Sequence, residues 1–314
     1  MRVSVVIPVY DRQLLCERAL RSALAQAVEG IEIVIVDDCS MPPFVLPADL
    51  ASDPRIRLLR HPVNRGAGAA RDTGVAASRG PWIAFLDSDD TWLPGTLGQR
   101  LDLAEREFAA SGNPMVAYSA GFVLDRKSVG RQEQRMPVAS ADIKDFVSGC
   151  WFAHGSTALL RREAFDRVGP TDPALRRLED YDWFIRFALL GGRLEIWPHF
   201  AALIEVRSKA GMHSAERSIA HLRAKYANPA AGLPPDVINQ IEACLDFELA
   251  SMRSADGRWL ATLFYLCRSF WRVPRTTLHL RRLWTRTAVD LPAGYGASAP
   301  ARAQLRLGRK RPVR

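Results

Sequence analysis

The stretch PWIAFLDSDD, residues 81–90, sets an apolar strand directly against a cluster of carboxylates. The run Trp82–Leu86 is typical of a strand that is buried on both faces. Asp87, Asp89 and Asp90 follow it at once, although like charges repel and each carboxylate prefers water or a counter-charge. A strand that ends in this way is expected at the rim of a sheet, where a bound cation can neutralise the charge.

Strand-like and helix-like segments alternate through the residues that precede this stretch. The apolar, β-branched runs at 3–9 and 31–38 predict two buried strands, and 55–61 predicts a weaker third. Leucine and alanine at helical spacing predict helices over 14–26 and 66–78. Alternation at this spacing predicts βαβ units, and therefore an α/β fold with a mostly parallel central sheet flanked by helices.

The pattern is less regular in the rest of the chain. No internal repeat is present. The predicted elements are a strand over 115–124, a polar loop or irregular segment over 125–148, helices over 156–168 and 182–190, and helical structure from about residue 221.

The composition is that of an ordinary globular protein. The 314 residues are 48% hydrophobic and 25% charged, which is enough for a sizeable core. The five cysteines are scattered without a CxxC spacing, which argues against a disulfide framework or a zinc site and suits a reducing compartment. The short N-terminal apolar run ends in Pro-Val-Tyr-Asp, so we interpret it as a strand and not a signal peptide. The sequence has no run of about 18 uncharged apolar residues, and no transmembrane helix is predicted.

Polar residues follow three of the predicted strands, at Pro8–Asp11, Asp37–Ser40 and Asp87–Asp90. In open α/β sheets, ligands bind outside the carboxyl ends of the strands. If these strands are parallel neighbours, the three groups converge on one edge of the sheet. We therefore expect a polar ligand site at this edge.

Asp87 and Asp89 have the spacing of a shared cation site. Side chains alternate along an extended chain, so two residues that are separated by one can face the same way. Carboxylate oxygens suit Mg²⁺ or Mn²⁺, which also take phosphate oxygens and water. Turn chemistry remains an open alternative, because Ser-Asp-Asp also caps helices and forms Asx turns.

Taken in order, the segments of this chain resemble glycosyltransferase family 2, whose fold is the GT-A type. The resemblance extends over roughly residues 1–215. It depends on the order and spacing of several motifs more than on any single motif. The matching segments are SVVIPVYDR (4–12), EIVIVDDCS (32–40), NRGAGAARDTGVAASRGPWIAFLDSDD (64–90), GSTALLRREAFDRVG (155–169) and LEDYDWFIRFALLG (178–191).

The resemblance implies an inverting transfer of a sugar from a nucleoside-diphosphate sugar, with UDP expected, to a hydroxyl of a glycan or lipid-linked acceptor. The implied donor-binding residues are Pro8, Tyr10, Asp11, Asp38, Arg71 and Asp87. Asp89 is the implied ligand of Mn²⁺ or Mg²⁺. His213, in the loosely similar stretch VRSKAGMHS (206–214), is a candidate contact to metal or phosphate, with a surface histidine as the alternative. Asp180 is the implied catalytic base.

The candidate residues on the acceptor side have structural alternatives. They are Glu179, Asp182, Trp183, Trp151 and His154. Asp180 and Asp182 also suit the capping of the helix that follows them. Tryptophans more often pack in a core than stack on a sugar. The chain departs from the family at Asp72, where an asparagine often follows the arginine.

Three other functions use similar residues. A nucleotidyltransferase acting on sugar phosphates would place a glycine-rich, basic loop after the first strand, where this chain has IPVYDRQLL (7–15). The absence of GxGxxG at the same place disfavours a dinucleotide-binding site. A non-catalytic relative that binds nucleotide sugars would not need Asp87, Asp89 and Asp180 together. The glycosyltransferase is therefore the favoured reading.

The charge distribution suggests how the chain is divided. Residues 221–314 hold 16 Lys/Arg against 6 Asp/Glu, a net charge of +10, whereas the preceding residues are close to neutral. We predict a GT-A catalytic domain over 1–220, with a nucleotide-sugar-binding half (1–115) and an acceptor-binding half (116–220). A helical extension over 221–298 and a basic, disordered tail over 299–314 follow.

The segment 258–286 interleaves large apolar residues with seven arginines. Basic amphipathic helices of this kind suit the anionic face of a membrane, where lipid-linked acceptors reside. Packing of the apolar face on the catalytic domain is the equal alternative. A nucleic-acid partner is disfavoured because no recognised binding fold accompanies the charge. The expected location is cytoplasmic, with peripheral association at the inner face of the cell membrane.

Overall fold

A computed structural model describes residues 1–126, 131–206, 212–229, 232–274 and 284–285. Within these residues, ten strands belong to one sheet, and helices flank it. The strands are β1 (Val3–Val9), β2 (Ile31–Asp37), β3 (Ile56–Arg60), β4 (Trp82–Phe85), β5 (Thr91–Trp92), β6 (Val116–Arg126), β7 (Arg131–Pro137), β8 (Leu159–Arg161), β9 (Arg193–Glu205) and β10 (Trp284–Thr285). The helices are α1 (Gln13–Leu24), α2 (Ala67–Ala77), α3 (Thr96–Ser111), α4 (Ile143–Phe146), α5 (His154–Thr157), α6 (Arg162–Val168), α7 (Glu179–Leu189), α8 (Met212–Ala227), α9 (Pro235–Ala255) and α10 (Trp259–Arg272).

The predicted parallel sheet forms the N-terminal half of the structure. Strands β3, β2, β1 and β4 lie side by side in this order, and every pair is parallel. All seven residues of β1 and of β2 are buried, which explains why these strands are mostly apolar and β-branched on both faces. Because these strands point the same way, their carboxyl ends meet at one edge, as the polar residues after them suggested.

The second half of the sheet is mixed. Strand β8 pairs antiparallel with both β4 and β6, and β7 and β10 continue the antiparallel side. The long strand β9 runs parallel to β6 and pairs antiparallel with β5. The short β5 and its pairing with β9 hold the segment that follows the Asp87–Asp90 cluster against the rest of the sheet.

Three elements differ from the sequence-based expectations. Strand β8 lies inside the predicted helix 156–168, because pairing with β4 and β6 overrides the helical propensity of its three residues. The segment 125–148, expected to be irregular, contains β7 and α4. Strand β9 was not predicted, because its sequence has no clean alternation and contains a proline.

Helix α2 packs unusually close to the sheet, and small residues make this possible. A Cβ atom on Gly74 would lie 2.3 Å from Cγ1 of Val6 on β1, a distance that no side chain adopts. By contrast, a Cβ atom on Gly98 in α3 would meet its nearest neighbour, Cγ2 of Val28, at 3.6 Å. Both glycines lie inside helices, so the effects of alanine substitutions at the two positions can be compared directly.

We expect Gly74→Ala to lower the free energy of unfolding by about 1–3 kcal/mol, because the new methyl group overpacks the contact with β1. Gly98→Ala should raise it by about 0.5–1 kcal/mol through helix propensity alone. Urea unfolding followed by circular dichroism measures both. An equal stabilisation by the two substitutions would contradict the close contact.

The C-terminal helices share a core with α7. Tyr181 and Ile185 of α7 pack with Leu222 of α8 and with Ile241 and Leu245 of α9. The predicted domain boundary at residue 220 falls inside α8, and the division into domains stays a prediction. Residues 299–314 lie outside the described residues, as do the side chain of His213 and the roles predicted for it.

No helix in the described ranges combines the length and the apolar character that crossing a bilayer requires.

Candidate active site

A first cavity of about 820 Å³ opens at the carboxyl edge of the parallel strands. Pro8 and Tyr10 reach it from the end of β1, Asp38 from the end of β2, and Asp87 and Asp89 from the end of β4. Helix α2 adds the small residues Gly66, Ala67 and Ala70 and the guanidinium of Arg71. The topology thus brings the predicted donor residues together, with one exception. The carboxylate of Asp11 accepts a hydrogen bond from the Met41 N–H at 2.8 Å and lies outside this cavity lining.

Asp38 organises the loop that precedes α2. Its buried carboxylate accepts hydrogen bonds from the backbone N–H groups of Arg65 and Gly66 at 2.8 and 2.7 Å. The ring Nδ1 of His61 contacts the same carboxylate at 2.7 Å. These three contacts fix the turn at Gly66, whose φ of 95° a glycine adopts without strain. Asp38 therefore shapes the cavity wall in addition to lining it.

Arg71 links the end of β4 to the start of α7. Its guanidinium pairs with the carboxylates of Asp87 at 2.6 Å and Glu179 at 3.2 Å. Burial alone would lower the pKa of Arg71, but the charges of Asp87 and Glu179 outweigh it and raise that pKa. The neighbouring Asp72 ties α2 to the same region, since it accepts hydrogen bonds from the N–H and hydroxyl of Thr171. Asp72, where the family often has asparagine, therefore ties α2 to the segment that follows α6.

Asp89 is held by basic side chains of α1 and its N-cap. Arg12 pairs with its carboxylate at 2.8 Å, and Arg18 donates to its carbonyl oxygen at 2.7 Å. The adjacent Asp90 is buried and accepts hydrogen bonds from Ser156 and from the Glu205 N–H. Burial raises the pKa of Asp90, and the charges of Asp87 and Asp89 add to the effect. Of the three carboxylates, Asp87 and Asp89 therefore face the cavity, and Asp90 holds the turn.

The carboxylates of Asp87 and Asp89 fit a divalent ion. Both line the first cavity, and both offer hard oxygen donors of the kind that Mg²⁺ and Mn²⁺ bind. In the present arrangement the side chain of Arg12 pairs with the Asp89 carboxylate at 2.8 Å. The two carboxylates are therefore the candidate ligands of a divalent ion at this edge of the sheet.

A second cavity of about 430 Å³ adjoins the first. Asp180, Glu179 and His154 line it, together with Cys150 from the segment before α5. Four residues border both cavities: Arg71, Asp87, Arg176 and Arg177. The two cavities therefore share the Arg71–Asp87 ion pair, while Asp180 lines only the second cavity and Tyr10 and Asp38 line only the first.

The backbone aims the acidic pair into the second cavity. Leu178, the N-cap of α7, adopts φ 61° and ψ 19°, a left-handed conformation that is costly for a branched residue. Glu179 and Asp180 follow in the first turn, where the positive end of the helix favours negative charge. Glu179 is nevertheless buried, and burial raises its pKa to about 7, with the Asp180 charge adding to the effect and Arg71 opposing it.

The imidazole of His154 lies beside the Asp180 carboxylate. Its Nε2 lies 3.2 Å from Oδ2 of Asp180. Burial lowers the pKa of the imidazole, which keeps His154 neutral at neutral pH. Helix α5 is fixed by Ser156, which donates to Asp90 and accepts from the Asp87 N–H. Ser156 therefore joins helix α5, which carries His154, to the acidic turn at the end of β4.

Three predicted acceptor-side residues have packing or anchoring roles. Trp151 is 1% exposed, and its indole N–H donates to the Val138 carbonyl. Trp183 is also buried and stacks on Phe187. Asp182 is fully buried and binds Arg186, Lys225 and Tyr226, which anchors α7 to α8. Core packing, the alternative raised from the sequence, describes the two tryptophans, whereas Asp182 lies inside α7 and anchors it to α8 instead of capping it.

Several charged or reactive residues that line the cavities were not among the candidates predicted from the sequence. Arg176 and Arg177 border both cavities, Arg217 of α8 borders the first, and Cys150 borders the second. The two adjacent arginines, separated from the Glu-Asp pair only by Leu178, were a visible signal, since paired guanidinium groups suit phosphate. Nothing in the sequence pattern pointed to Arg217 or Cys150.

Comparison with known proteins identifies the family. A model of the family described as "Glycosyl transferase family 2" matches residues 4–169, which is just over half of the chain. The chain belongs to glycosyltransferase family 2. The residues matched include all the strand ends of the first cavity and helix α5. The family predicted from the ordered motifs is therefore confirmed.

Related family 2 proteins function in bacterial polysaccharide biosynthesis, according to their names. The chain is 33% identical over 213 residues to the succinoglycan biosynthesis protein ExoO of Rhizobium meliloti (strain 1021), an alignment that covers 65% of this chain and 61% of ExoO. It is 31% identical to ExoU of the same organism, over 67% of this chain and 64% of ExoU. It is 29% identical to the amylovoran biosynthesis glycosyltransferase AmsB of Erwinia amylovora, over 60% of this chain and 64% of AmsB. The chain thus spans about three fifths of the length of these relatives.

Solved structures confirm the GT-A fold expected of a family 2 chain. S. aureus TarS 1–349, crystallised in complex with UDP-GlcNAc, superposes with a TM-score of 0.57 and covers 94% of this chain and 95% of TarS 1–349. A structure described as S. aureus TarS gives a TM-score of 0.53 over 90% of this chain and 55% of that chain. The sequence identities are 14% and 15%, so the likeness concerns the fold.

Proposed function

We propose that this chain is an inverting glycosyltransferase that moves a sugar from a nucleoside-diphosphate sugar to an acceptor hydroxyl. One observation carries the proposal: two cavities share the Arg71–Asp87 ion pair, with five of the six predicted donor residues in the first and Asp180 in the second. A direct displacement needs its leaving group and its base on opposite sides of the reacting carbon. The two cavities provide these two sides.

The first cavity suits the nucleotide part of the donor. Tyr10 and Asp38 line this cavity. Tyr10 can offer an aromatic face to a nucleobase, and Asp38 can offer polar groups to the base or the ribose. Arg176, Arg177 and Arg217 border the same cavity, and guanidinium groups bind phosphate oxygens well. The TarS neighbour of the same fold was crystallised with UDP-GlcNAc, which supports UDP as the nucleotide of the donor.

Asp89, together with Asp87, is the proposed holder of Mn²⁺ or Mg²⁺. When bound there, the ion would stabilise the negative charge that gathers on the departing diphosphate. The arginines of the first cavity add positive charge to the same region.

Asp180 is the proposed base. An acceptor hydroxyl is a poor nucleophile, so a carboxylate must take its proton as the oxygen attacks the anomeric carbon. The new bond forms between this oxygen and the anomeric carbon while the bond to the diphosphate breaks, and a single attack inverts the carbon. His154 contacts the Asp180 carboxylate and restricts its orientation. Arg71 holds Glu179 beside it, so Asp180 remains the carboxylate free to point at the acceptor.

The acceptor is proposed to be a growing glycan or a lipid-linked saccharide. The names of ExoO, ExoU and AmsB place these relatives in the biosynthesis of bacterial polysaccharides, which supports this class of acceptor. The second cavity is polar, with Asp180, Glu179 and Glu248 along its wall, and such groups can bind sugar hydroxyls.

A panel of nucleotide sugars tests the donor and the metal together. With Mn²⁺ present, we expect a UDP-sugar to raise the melting temperature, because a ligand that binds only the folded state stabilises it. Removing the metal with a chelator should abolish most of this shift. A panel in which no nucleotide sugar shifts the melting temperature, or in which the chelator changes nothing, would contradict the proposed donor site.

Helix α10 presents an unusual surface. Its large apolar side chains point outward: Trp259, Leu260, Leu263, Phe264, Phe270 and Trp271 are all more than half exposed. The face that packs on α9 uses the small residues Thr262 and Ser269. An exposed apolar surface of this extent marks an interaction site. We place an anionic membrane surface there, because the sequence from residue 221 onward is strongly basic.

Vesicle sedimentation tests this assignment. We expect the protein to sediment with vesicles of phosphatidylglycerol and phosphatidylcholine at low salt, and Leu260→Ser with Trp271→Ser to lower the bound fraction at least fivefold. The matched control is Leu14→Ser, since Leu14 is 79% exposed on α1 and should not matter. Three results would each contradict the membrane assignment: no binding, binding that ignores lipid charge, or a dimer in solution that the double substitution dissociates.

A further inference from the structure

Three side chains of different chemistry converge on the wall of the second cavity. The sulfur of Cys150, a ring nitrogen of His154 and a carboxylate oxygen of Asp180 all lie within 4.8 Å of one another. Cys150 and His154 flank the turn that opens α5, and Asp180 comes from the first turn of α7. This cluster was not predicted from the sequence: the scattered cysteines argued against a zinc site, and a lone cysteine four residues before a histidine is not a recognised zinc spacing.

The geometry around His154 is incomplete without a further partner. Both ring nitrogens are buried, and neither makes a hydrogen bond with acceptable angles. Its Nε2 lies 3.2 Å from Oδ2 of Asp180, a close approach that lacks hydrogen-bond geometry. Buried polar groups rarely remain without a partner, because the lost hydrogen bonds with water destabilise the fold.

A zinc ion would satisfy this arrangement. Nitrogen and oxygen ligands lie about 2.0–2.1 Å from zinc, so two of them at a tetrahedral angle are about 3.3 Å apart. The observed 3.2 Å between His154 and Asp180 matches this separation. A set of one sulfur, one nitrogen and one oxygen favours zinc over the hard ions Mg²⁺ and Mn²⁺. The neutral imidazole is the form that binds a metal, and the thiol of Cys150 would release its proton to solvent on binding.

We propose that Cys150, His154 and Asp180 form a zinc site that switches transfer off when it is filled. Three protein ligands leave a fourth position for water, as in sites that face a cavity. Zinc on the Asp180 carboxylate would occupy the oxygen lone pairs that the acceptor proton needs. This inference rests on the proposed role of Asp180 as the base, and it makes the second cavity a site of inhibition by a metal other than the one at Asp89.

Cobalt(II) replaces zinc as a visible probe for the full chain. We expect one equivalent of Co²⁺ to give a thiolate-to-cobalt charge-transfer band, which Zn²⁺ removes by displacement. Cys150→Ser should abolish the band and weaken Zn²⁺ binding at least 100-fold in a chelator competition. Cys244→Ser is the matched control, since Cys244 lines the same cavity but lies outside the cluster.

The activity measurement is separate from the binding measurement. Micromolar Zn²⁺ should inhibit sugar transfer by the unsubstituted chain, and Cys150→Ser should raise the inhibitory concentration at least tenfold. An absent thiolate band, or one that survives Cys150→Ser, overturns the zinc site whatever the activity. A Cys150-dependent band together with zinc-insensitive transfer overturns the inhibitory role. If the Asp180→Asn variant transfers sugar normally and the unsubstituted chain gives the cobalt band, Asp180 is not the base, but the metal site is still supported.

Discussion

Asp180→Asn is expected to lower the kcat of sugar transfer by about 10²–10⁴-fold, the range that a general base contributes. Asparagine has the size and shape of aspartate and can keep the contact with His154, but it cannot accept the proton of the acceptor hydroxyl. Asp180 lines the second cavity and not the first, so the KM for the donor should stay close to its original value. Steady-state kinetics with the donor found by the nucleotide-sugar panel measures both quantities.

The adjacent carboxylate supplies the control for this substitution. Glu179→Gln makes the same chemical change one residue away, on a side chain whose pKa is already raised to about 7 and which is held by Arg71. We expect a loss of no more than about tenfold. A larger loss for Glu179→Gln than for Asp180→Asn would move the base to Glu179. Melting temperatures of both variants that match that of the unsubstituted chain would confirm that neither effect comes from unfolding.

Gly155→Ala is expected to lower kcat/KM at least 100-fold, although the residue has no chemistry of its own. A Cβ atom at this position would lie 2.2 Å from Oδ2 of Asp87, well inside the 3.4 Å of ordinary contact. Helix α5 cannot easily retreat, because Ser156 is bonded to Asp90 and to the Asp87 N–H. The Asp87 carboxylate must therefore move by about 1 Å, and a displacement of this size at a reacting centre costs on the order of 10²-fold in rate.

The displaced carboxylate should also release Arg71. The ion pair between them, now at 2.6 Å, joins the two cavities, so donor binding and transfer should both weaken. Gly98→Ala is the matched control, because its new methyl group meets only Val28 at 3.6 Å and should leave kcat/KM unchanged. Assays are made at a temperature where circular dichroism shows each variant folded. Normal kcat/KM in a folded Gly155→Ala protein would show that the position of Asp87 is not critical.

The parallel half of the sheet and its acidic edge could be predicted from the sequence for a physical reason. Strands β1 and β2 are buried on both faces, so all their residues except Ser4, Glu32 and Asp37 are apolar, and the polar residues after them stand out. The same contrast marked Asp87 and Asp89 at the end of β4. The order of these segments along the chain was enough to identify the family.

The second half of the sheet and the fate of single residues could not be predicted in this way. Strand β9 is half-buried and irregular, so neither the alternating nor the continuous apolar pattern appears in it. Trp151 and Trp183 carry the same sequence signal whether they stack on a sugar or pack in a core, and only the tertiary structure shows the packing. Cys150 meets Asp180 across a separation of thirty residues, which local spacing does not report.

A crystal structure of the Asp180→Asn variant with a UDP-sugar and Mn²⁺ would show whether the two cavities hold the two sides of one displacement. We expect UDP in the first cavity near Tyr10 and Asp38, the diphosphate among Asp89, Arg176 and Arg177, and the anomeric carbon beside the Arg71–Asp87 pair with its open face toward residue 180. A sugar that points away from the second cavity, or a nucleotide bound outside the first, would contradict this arrangement.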